Sequence, residues 1–425
     1  MKSSSVAIHT LGCKLNFSES SAIMRSLEDH GFAKREFEEL ADVYVINTCS
    51  VTNNADKECR QLIRRIKSQA PESKIVITGC YAQLKPEELS KMESVDLVIG
   101  VKNKFDLPHI LQEFFEHGDK KVYACHIDDV TSFNGAYSLN DRTRTFLKVQ
   151  DGCDYSCSFC TIPMARGKSR SHFVDNVMKD IDAIAAKGVK EIVLTGVNLG
   201  DFGKGISGGK YRQETFLELL QEIEKSAPVD RFRISSIEPN LLTEDIISLV
   251  SGSQKLLPHF HIPLQSGSNR ILGLMKRRYK KELYEEKITR IKAVMPHCCI
   301  GADVIVGFPS ESDDDFRQTV NFIESLPLSY LHVFTYSERA HTDAMNIAPT
   351  VPVPVRNTRN RFLRDLSEKK MAAFVEEQKG TRRPVLFESR TPSGLMEGYT
   401  DNYIRIRAPF REDWINAVVR CTIES

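Results

Sequence analysis

Short runs of β-branched and aliphatic residues alternate with helical patterns through the first part of the chain. VAIHTLG is followed by SESSAIMRSLEDHG, DVYVINT by NADKECRQLIRRIKSQ, and then comes KIVITG. Apolar runs separated by amphipathic segments predict parallel βαβ units, hence an α/β class with an open parallel sheet in the N-terminal domain. After a polar stretch around Asn134 to Arg144, a second βα series begins. Its strands are expected at about 145–150, 191–197, 231–237, 259–264, 299–306 and 330–336. SHFVDNVMKDIDAIAAKG and SDDDFRQTVNFIESL are among the helices between them. Val174, Val177, Ile181 and Ile184 recur at helical spacing, with Gly188 where a C-terminal cap would stand. Six such units fit an incomplete (β/α)6 barrel, with an open doubly wound sheet as the alternative.

PTVPVPV, with three prolines, predicts an extended linker. An amphipathic helix should follow from about Arg356 to Lys379, with Phe362, Leu366 and Phe374 on its apolar side. Short alternating runs then predict a small C-terminal antiparallel β-barrel. The expected domains are 1–138, 139–371 and 372–425.

Composition alters this picture little. The 425 residues carry a formal charge of +1, which points to no acidic partner for the molecule as a whole. From Thr350 onward, however, fourteen Lys or Arg stand against ten Asp or Glu, a basic C-terminal appendage. No apolar run reaches the eighteen or so residues of a membrane span, and no export signal precedes VAIHTLG, so a soluble cytoplasmic protein without a membrane partner is expected. Eleven cysteines in such a chain imply reduced thiols, some of them metal ligands or catalytic.

Three of them, Cys13, Cys49 and Cys80, follow the first three long strands. Parallel strands present their C-termini along one edge, so these thiols can meet in space. The densest motif is DGCDYSCSFC, which places Cys153, Cys157 and Cys160 as C-x3-C-x2-C after the first strand of the second series. A tetrahedral zinc site wants a fourth ligand, and the nearest histidine, His172, is twelve residues on. Three thiolates on one tight loop suit a 4Fe-4S cubane with one iron left open. Zinc, or three buried thiols, remain the alternatives.

With Phe159 before its third cysteine, this motif resembles that of the radical S-adenosylmethionine enzymes. GCKLNFSES, NTCSVTNNADKECRQLIRR and GCYAQLKPEE are similar to the N-terminal domain of the methylthiotransferases, and the C-terminal β-domain looks like their TRAM module. The wording is most similar to the members acting on threonylcarbamoyladenosine in tRNA. The resemblance implies a radical S-adenosylmethionine cluster on Cys153, Cys157 and Cys160 and an auxiliary 4Fe-4S cluster on Cys13, Cys49 and Cys80. It also implies two molecules of S-adenosylmethionine, one methylating sulfur and one yielding the radical that attacks C2 of the adenine. The partners it implies are a tRNA anticodon stem-loop, held partly by the TRAM-like domain, and an electron donor such as a flavodoxin or ferredoxin. The sulfur source stays open.

Beside Phe159, the segments expected around S-adenosylmethionine supply Gly196, Asn198, Gln265, Ser266, Ser268 and Gly307, each also explicable as turn chemistry. Arg166 and Arg170 could fix a carboxylate or phosphate, and Arg60 and Arg64 could form an RNA-facing helix side; solvated charge is the plain alternative for all four. Trp414 reads as a core anchor of the β tail. Rival functions are methylthiolation of isopentenyladenosine, methylthiolation of a ribosomal-protein aspartate, or a non-catalytic RNA-binding metal protein.

Overall fold

The computed structural model describes residues 4–424 apart from 51–52, 119–120, 140–142, 210 and 392–393. Its N-terminal third is built from β1 (Ser5–Thr10), α1 (Lys14–Asp29), β2 (Ala33–Lys34), β3 (Val43–Thr48), α2 (Asn53–Gln69), β4 (Lys74–Gly79), α3 (Cys80–Leu84), α4 (Pro86–Ser90), β5 (Leu97–Ile99), α5 (Leu107–His117) and β6 (Val122–Tyr123). The strands form one parallel sheet in the order β2-β1-β3-β4-β5-β6. Val45, Ile46, Val76 and Ile77 are fully buried, as a sheet covered on both faces requires. Helices α1 and α5 close one face, while α2, α3 and α4 close the other. The order turns back between β1 and β3, and open α/β sheets bind ligands at such a switch point. Cys13 and Cys49 follow these two strands.

The second unit comprises β7 (Ala136–Tyr137), β8 (Arg144–Lys148), β9 (Gln150–Asp151), α6 (Ile162–Arg166), β10 (Arg170–Ser171), α7 (Val174–Ala185), β11 (Glu191–Thr195), α8 (Phe216–Ser226), β12 (Phe232–Ile234), α9 (Glu244–Gly252), β13 (His259–His261), α10 (Asn269–Leu274), α11 (Lys281–Val294), β14 (Cys299–Val306), α12 (Asp313–Ser325) and β15 (Tyr330–Thr335). Strands β8, β11 and β12 pair in parallel, as do β13, β14 and β15. A bridge from Ser236 to His261 joins the two sets into six staves. This is the expected incomplete barrel, and one continuous apolar core fills the space between staves and helices.

Helix α13 (Val353–Gln378) begins three residues earlier than expected, because Pro354 falls in its first turn, where proline costs no hydrogen bond. The second half of the anticipated linker is therefore helix. The expected boundary at 371/372 falls inside this helix: Leu363 packs into the barrel core and Phe374 packs with the C-terminal sheet. Ser367 and Asn360 hydrogen-bond the outer backbone of β15, satisfying an edge that would otherwise be bare. Phe362 is not on the buried side. It is half exposed and meets Phe316 edge-on, whereas Arg356 and Arg359 are buried, pairing with the partly exposed Glu338 and the buried Glu311.

The C-terminal strands β16 (Arg382–Arg390), β17 (Leu395–Thr400), β18 (Arg405–Pro409) and β19 (Val418–Thr422) form an antiparallel sheet in the order β18-β17-β16-β19, bulged between Phe387 and Arg390. Among the described residues β18 and β19 do not pair, so the barrel stays open. Trp414 packs against Phe387 beneath Arg411, as an anchor should. The sheet docks on the barrel through charge: Arg231 and Arg233 pair with the buried Glu191 and donate to the carbonyls of Tyr399, Thr400 and Asp401. Among the described residues no helix is long and apolar enough to cross a membrane.

A larger ion network binds the N-terminal sheet to the barrel. Glu19 of α1 meets Lys104 at 2.6 Å, Lys148 at 2.8 Å and Arg166 at 3.1 Å. Asp151 meets Lys148 at 2.8 Å, Arg166 at 2.9 Å and Arg170 at 3.3 Å. All six side chains are buried, and although burial alone would raise the Glu19 carboxyl, the cations hold it well below the usual carboxylate range. Removing one partner of a buried ion pair typically costs about 3–5 kcal/mol. Glu19→Gln is accordingly expected to lower stability by about that amount at neutral pH, measured by urea unfolding. Because the folded carboxyl titrates lower than the unfolded one, its contribution is complete above about pH 4.3 and lost as pH falls below it. The gap between wild type and variant should therefore close in acid.

Candidate active site

Cys153 to Cys160 form the loop that leaves the C-terminal end of β8 and β9. Gly152 starts it with φ +70°, and a Cβ there would lie 2.0 Å from the Lys168 carbonyl oxygen. The Cys153 amide is held by the Gly167 carbonyl, and the Cys160 amide by that of Cys157. Each sulfur also has a donor: the Tyr155 amide on Cys153 Sγ and the Ile162 amide on Cys160 Sγ, both at 3.4 Å, and Arg277 Nη1 on Cys157 Sγ at 3.1 Å. Burial pushes the Cys153 and Cys160 thiols up to about 12, so coordination, rather than ionisation in water, would make them thiolates. N–H donors aimed at sulfur are what a ligated iron–sulfur centre uses to tune itself. Arg277 is fixed in turn by Glu238, a buried pair outside the sequence expectation because LMKRRYKKE reads as solvated charge.

The other three cysteines converge as the sheet edge predicted. Gly12 stands so near Cys49 that a Cβ on it would lie 2.5 Å from the Cys49 Cβ. Cys80 is buried, which raises its thiol, and the Arg166 guanidinium faces both it and Cys13. The segment after Cys49 is tied to the barrel by Arg339, which donates to Asp56 at 3.0 Å and to Ser50 at 2.5 Å. Helix α6 thus separates the two triads: Cys160 leads into it, and Arg166 at its end reaches the auxiliary cysteines.

Among the described residues, the His, Cys, Asp or Glu group whose ligand atoms all lie within 4.8 Å of one another is His261, Asp303 and His332. Neither cysteine triad is that compact, whereas a cubane spreads its ligands over several irons. His261, Asp303 and His332 form a hydrogen-bonded array, with Asp303 Oδ1 2.9 Å from His261 and 3.3 Å from His332.

Beside Cys160 lies a cavity of about 220 Å³, lined by Phe159, Gln265, Asp303, Ile305 and Tyr336 among others. Gln265 has φ +64°, and its buried Oε1 has no hydrogen-bond partner among the described residues. An orphaned buried acceptor at a strained position is a group built for a ligand.

Two family models match the chain: the uncharacterized protein family UPF0004 over residues 5–100 and the radical SAM superfamily over residues 147–323. The chain is 40% identical over 407 residues to the threonylcarbamoyladenosine tRNA methylthiotransferase MtaB of Aquifex aeolicus, covering 95% of this chain and 96% of that one. It is 37% identical to the protein of the same name from Bacillus subtilis, covering 98% and 93%. The chain belongs to the radical S-adenosylmethionine methylthiotransferases. Its fold is also similar to that of the radical S-adenosylmethionine methyltransferase TsrM from Kitasatospora setae, with TM-score 0.59 at 14% identity, covering 80% of this chain and 77% of that one.

Several expected site residues of this methylthiotransferase are engaged in its framework. Arg166 and Arg170 are neither solvated nor free for substrate, being locked in the Glu19 and Asp151 network. Ser268 caps α10 and bonds Asp315, and Ser266 bonds Thr319, so both hydroxyls are committed. Gly307, expected to let an adenine approach, has Arg356 packed against it: a Cβ there would lie 2.3 Å from Arg356 Cγ. Gly196 packs against Gln150 and Leu199, and Asn198 is buried between Gln150 and Glu238, shaping the loop after β11. Arg60 bonds Tyr81 and Glu88, while Arg64 is exposed on α2. Of the five other cysteines, Cys59, Cys298 and Cys299 are buried and Cys125 and Cys421 partly so.

Glu19 carries a signal in the sequence that charge counting alone misses. Leu15, Glu19, Ile23 and Leu27 recur every four residues on the buried face of α1, and a carboxylate on such a stripe requires cations. Substituting Gly152→Ala should prevent the Cys153 loop from closing while leaving the auxiliary triad intact. Iron after anaerobic reconstitution is expected to fall from about eight to about four atoms per chain.

Proposed function

We propose that this methylthiotransferase converts the C2–H of N6-threonylcarbamoyladenosine at position 37 of tRNA into C2–S–CH3. The observation that carries the reading is the pair of three-cysteine sites flanking α6, one beside a cavity and one at the switch point of a parallel sheet, in a chain whose relatives are named for this reaction. Two 4Fe-4S clusters and S-adenosylmethionine are the cofactors; when bound they supply the electron transfer, hydrogen abstraction, sulfur and methyl group. Cys153, Cys157 and Cys160 would hold one cluster, and Cys13, Cys49 and Cys80 the other. Phe159 and Gln265 would receive S-adenosylmethionine in the cavity beside Cys160, with Gln265 Oε1 accepting from its amino or hydroxyl groups.

The chain's own work is orientation and exclusion of water. Phe159, Ile271, Phe308 and Tyr336 pack as an apolar wall behind the Cys160 loop. Ile305 and Phe334 add an apolar lining to the cavity. No side chain needs to act as a strong base, and Asp303 is held ionised by His261 and His332 despite its burial. A low-potential donor of the flavodoxin or ferredoxin class would deliver the electron, and a tRNA substrate puts the enzyme in the cytoplasm.

The C-terminal sheet supports the RNA assignment. Arg382, Arg390, Arg405, Arg407, Arg411 and Arg420 are all exposed on it. Arg405 and Arg407 border a groove that continues to Tyr399 and Tyr403, and they would meet backbone phosphates. Because the sheet is locked to Glu191, truncation after Lys379 would uncover the barrel; point substitutions probe RNA binding more cleanly. Arg405→Ala with Arg407→Ala is expected to weaken anticodon stem-loop binding and to reduce its salt slope by about one for each phosphate no longer neutralised, measured by fluorescence anisotropy.

Nucleoside mass spectrometry of tRNA from cells lacking the gene tests the reaction itself. Loss of 2-methylthio-N6-threonylcarbamoyladenosine with accumulation of its precursor is expected. Persistence of that nucleoside alongside loss of the isopentenyl counterpart would overturn the substrate assignment.

A further inference from the structure

A second cavity, of about 360 Å³, opens between Cys13 and the C-terminal sheet, within the size range of ligand pockets. Its wall carries three cations, Lys14, Arg144 and Arg233, and no carboxylate among its lining residues. Two of the cations are already matched. Arg233 is bound to Glu191 and to the carbonyls of Thr400 and Asp401, and Arg144 pairs with Glu388 at 2.5 Å. Lys14 makes no ion pair or hydrogen bond with the described residues, and it is exposed where it lines the cavity. A solvated cation on a cavity wall without a protein partner is free to take an anionic ligand.

The remaining walls suit a flat ring. Tyr399 and Tyr403 lie 5.1 Å apart with an interplanar angle of 25°, beneath the guanidinium groups of Arg144 and Arg233 respectively. Tyr403 holds φ +68°, a costly backbone for an aromatic residue, which aims its ring at this spot. Aromatic faces of this kind stack nucleobases.

We propose that this cavity is the slot for the modified base and that Lys14 takes the carboxylate of its N6 substituent, so that Lys14 selects anionic over apolar N6 substituents. The inference rests on the reading that threonylcarbamoyladenosine is the substrate. In adenine, C2 and the N6 group lie on either side of N1, along one edge. A base that turns C2 toward the Cys13 site therefore carries its N6 substituent along the same edge, within reach of the adjoining residue. A neutral isopentenyl group would displace water from the Lys14 ammonium without pairing it, and sites built around a polar partner reject analogues that lack it. Lys14 is thus a specificity-determining residue, not a member of the reacting set.

Equilibrium binding by full-length, reconstituted protein tests this, using fluorescent anticodon stem-loops that carry adenosine, N6-threonylcarbamoyladenosine or N6-isopentenyladenosine at position 37. Wild type is expected to bind the threonylcarbamoyl stem-loop about tenfold or more tighter than the adenosine one. Lys14→Gln should abolish that preference while leaving affinity for the adenosine stem-loop and the iron content unchanged, and Lys14→Arg should restore most of it. If Lys14→Gln keeps the full preference, or loses iron and all RNA binding together, the assignment of Lys14 is overturned and the substrate reading stands. If wild type prefers the isopentenyl stem-loop, the substrate reading itself fails, whatever the variants do.

Discussion

The buried cluster of Glu19 and Asp151 with Lys104, Lys148, Arg166 and Arg170 is the interaction on which the rest depends. Two carboxylates against four cations leave positive charge inside the protein, at the seam between the parallel sheet and the barrel. That excess lies close enough to Cys13 and Cys80 for the Arg166 charge to act on both. The Arg166 charge opposes the upward push of burial on the Cys80 thiol, so the same ion pairs that fasten two domains also favour an anionic centre beside them. A buried ion network need not add net stability, but it tolerates little displacement, because each member left unpaired is costly. Such a device suits a protein whose two cysteine triads must keep one relative position.

Geometry and chemistry follow from that seam. Helix α6 runs from the Cys160 loop to Arg166, so about one and a half turns of helix link both triads. The N-terminal sheet contributes its switch point, the barrel contributes the strand end at β8, and the C-terminal sheet contributes Tyr399 and Tyr403 to the wall near Cys13. The C-terminal domain is therefore more than a handle for RNA. Its docking through Glu191, Arg231 and Arg233 builds part of the chamber in which a base would lie.

Most of the fold was legible because its strands are either uniformly apolar, as β3 and β4 are, or punctuated by Gly and Asn at their ends. The convergence of Cys13, Cys49 and Cys80 was legible for the same reason: parallel strands share an edge. What stayed hidden were long-range polar pairings. Arg166, Arg170, Arg356 and Arg359 look like surface charge in sequence, since nothing local names Glu19, Asp151, Glu338 or Glu311 as partners. Ser266, Ser268 and Gly307 sit at strand ends where ligands bind, yet Thr319, Asp315 and Arg356 claim them first. Asp303, a lone carboxylate in the apolar strand GADVIVG, carried a signal that the alternation rule alone could have raised. Lys14 and Tyr403 stand near opposite ends of the chain and line one cavity only once three domains are assembled.

Clusters on the two cysteine triads, as proposed, held at one separation by the Glu19 network, would have a direct physical signature. Pulsed electron paramagnetic resonance on the reconstituted, reduced enzyme measures the dipolar coupling between the two centres. A single narrow distance distribution in wild type that broadens in Glu19→Gln is the result predicted. A wild-type distribution already broad, or no second paramagnetic centre after full reconstitution, would contradict it.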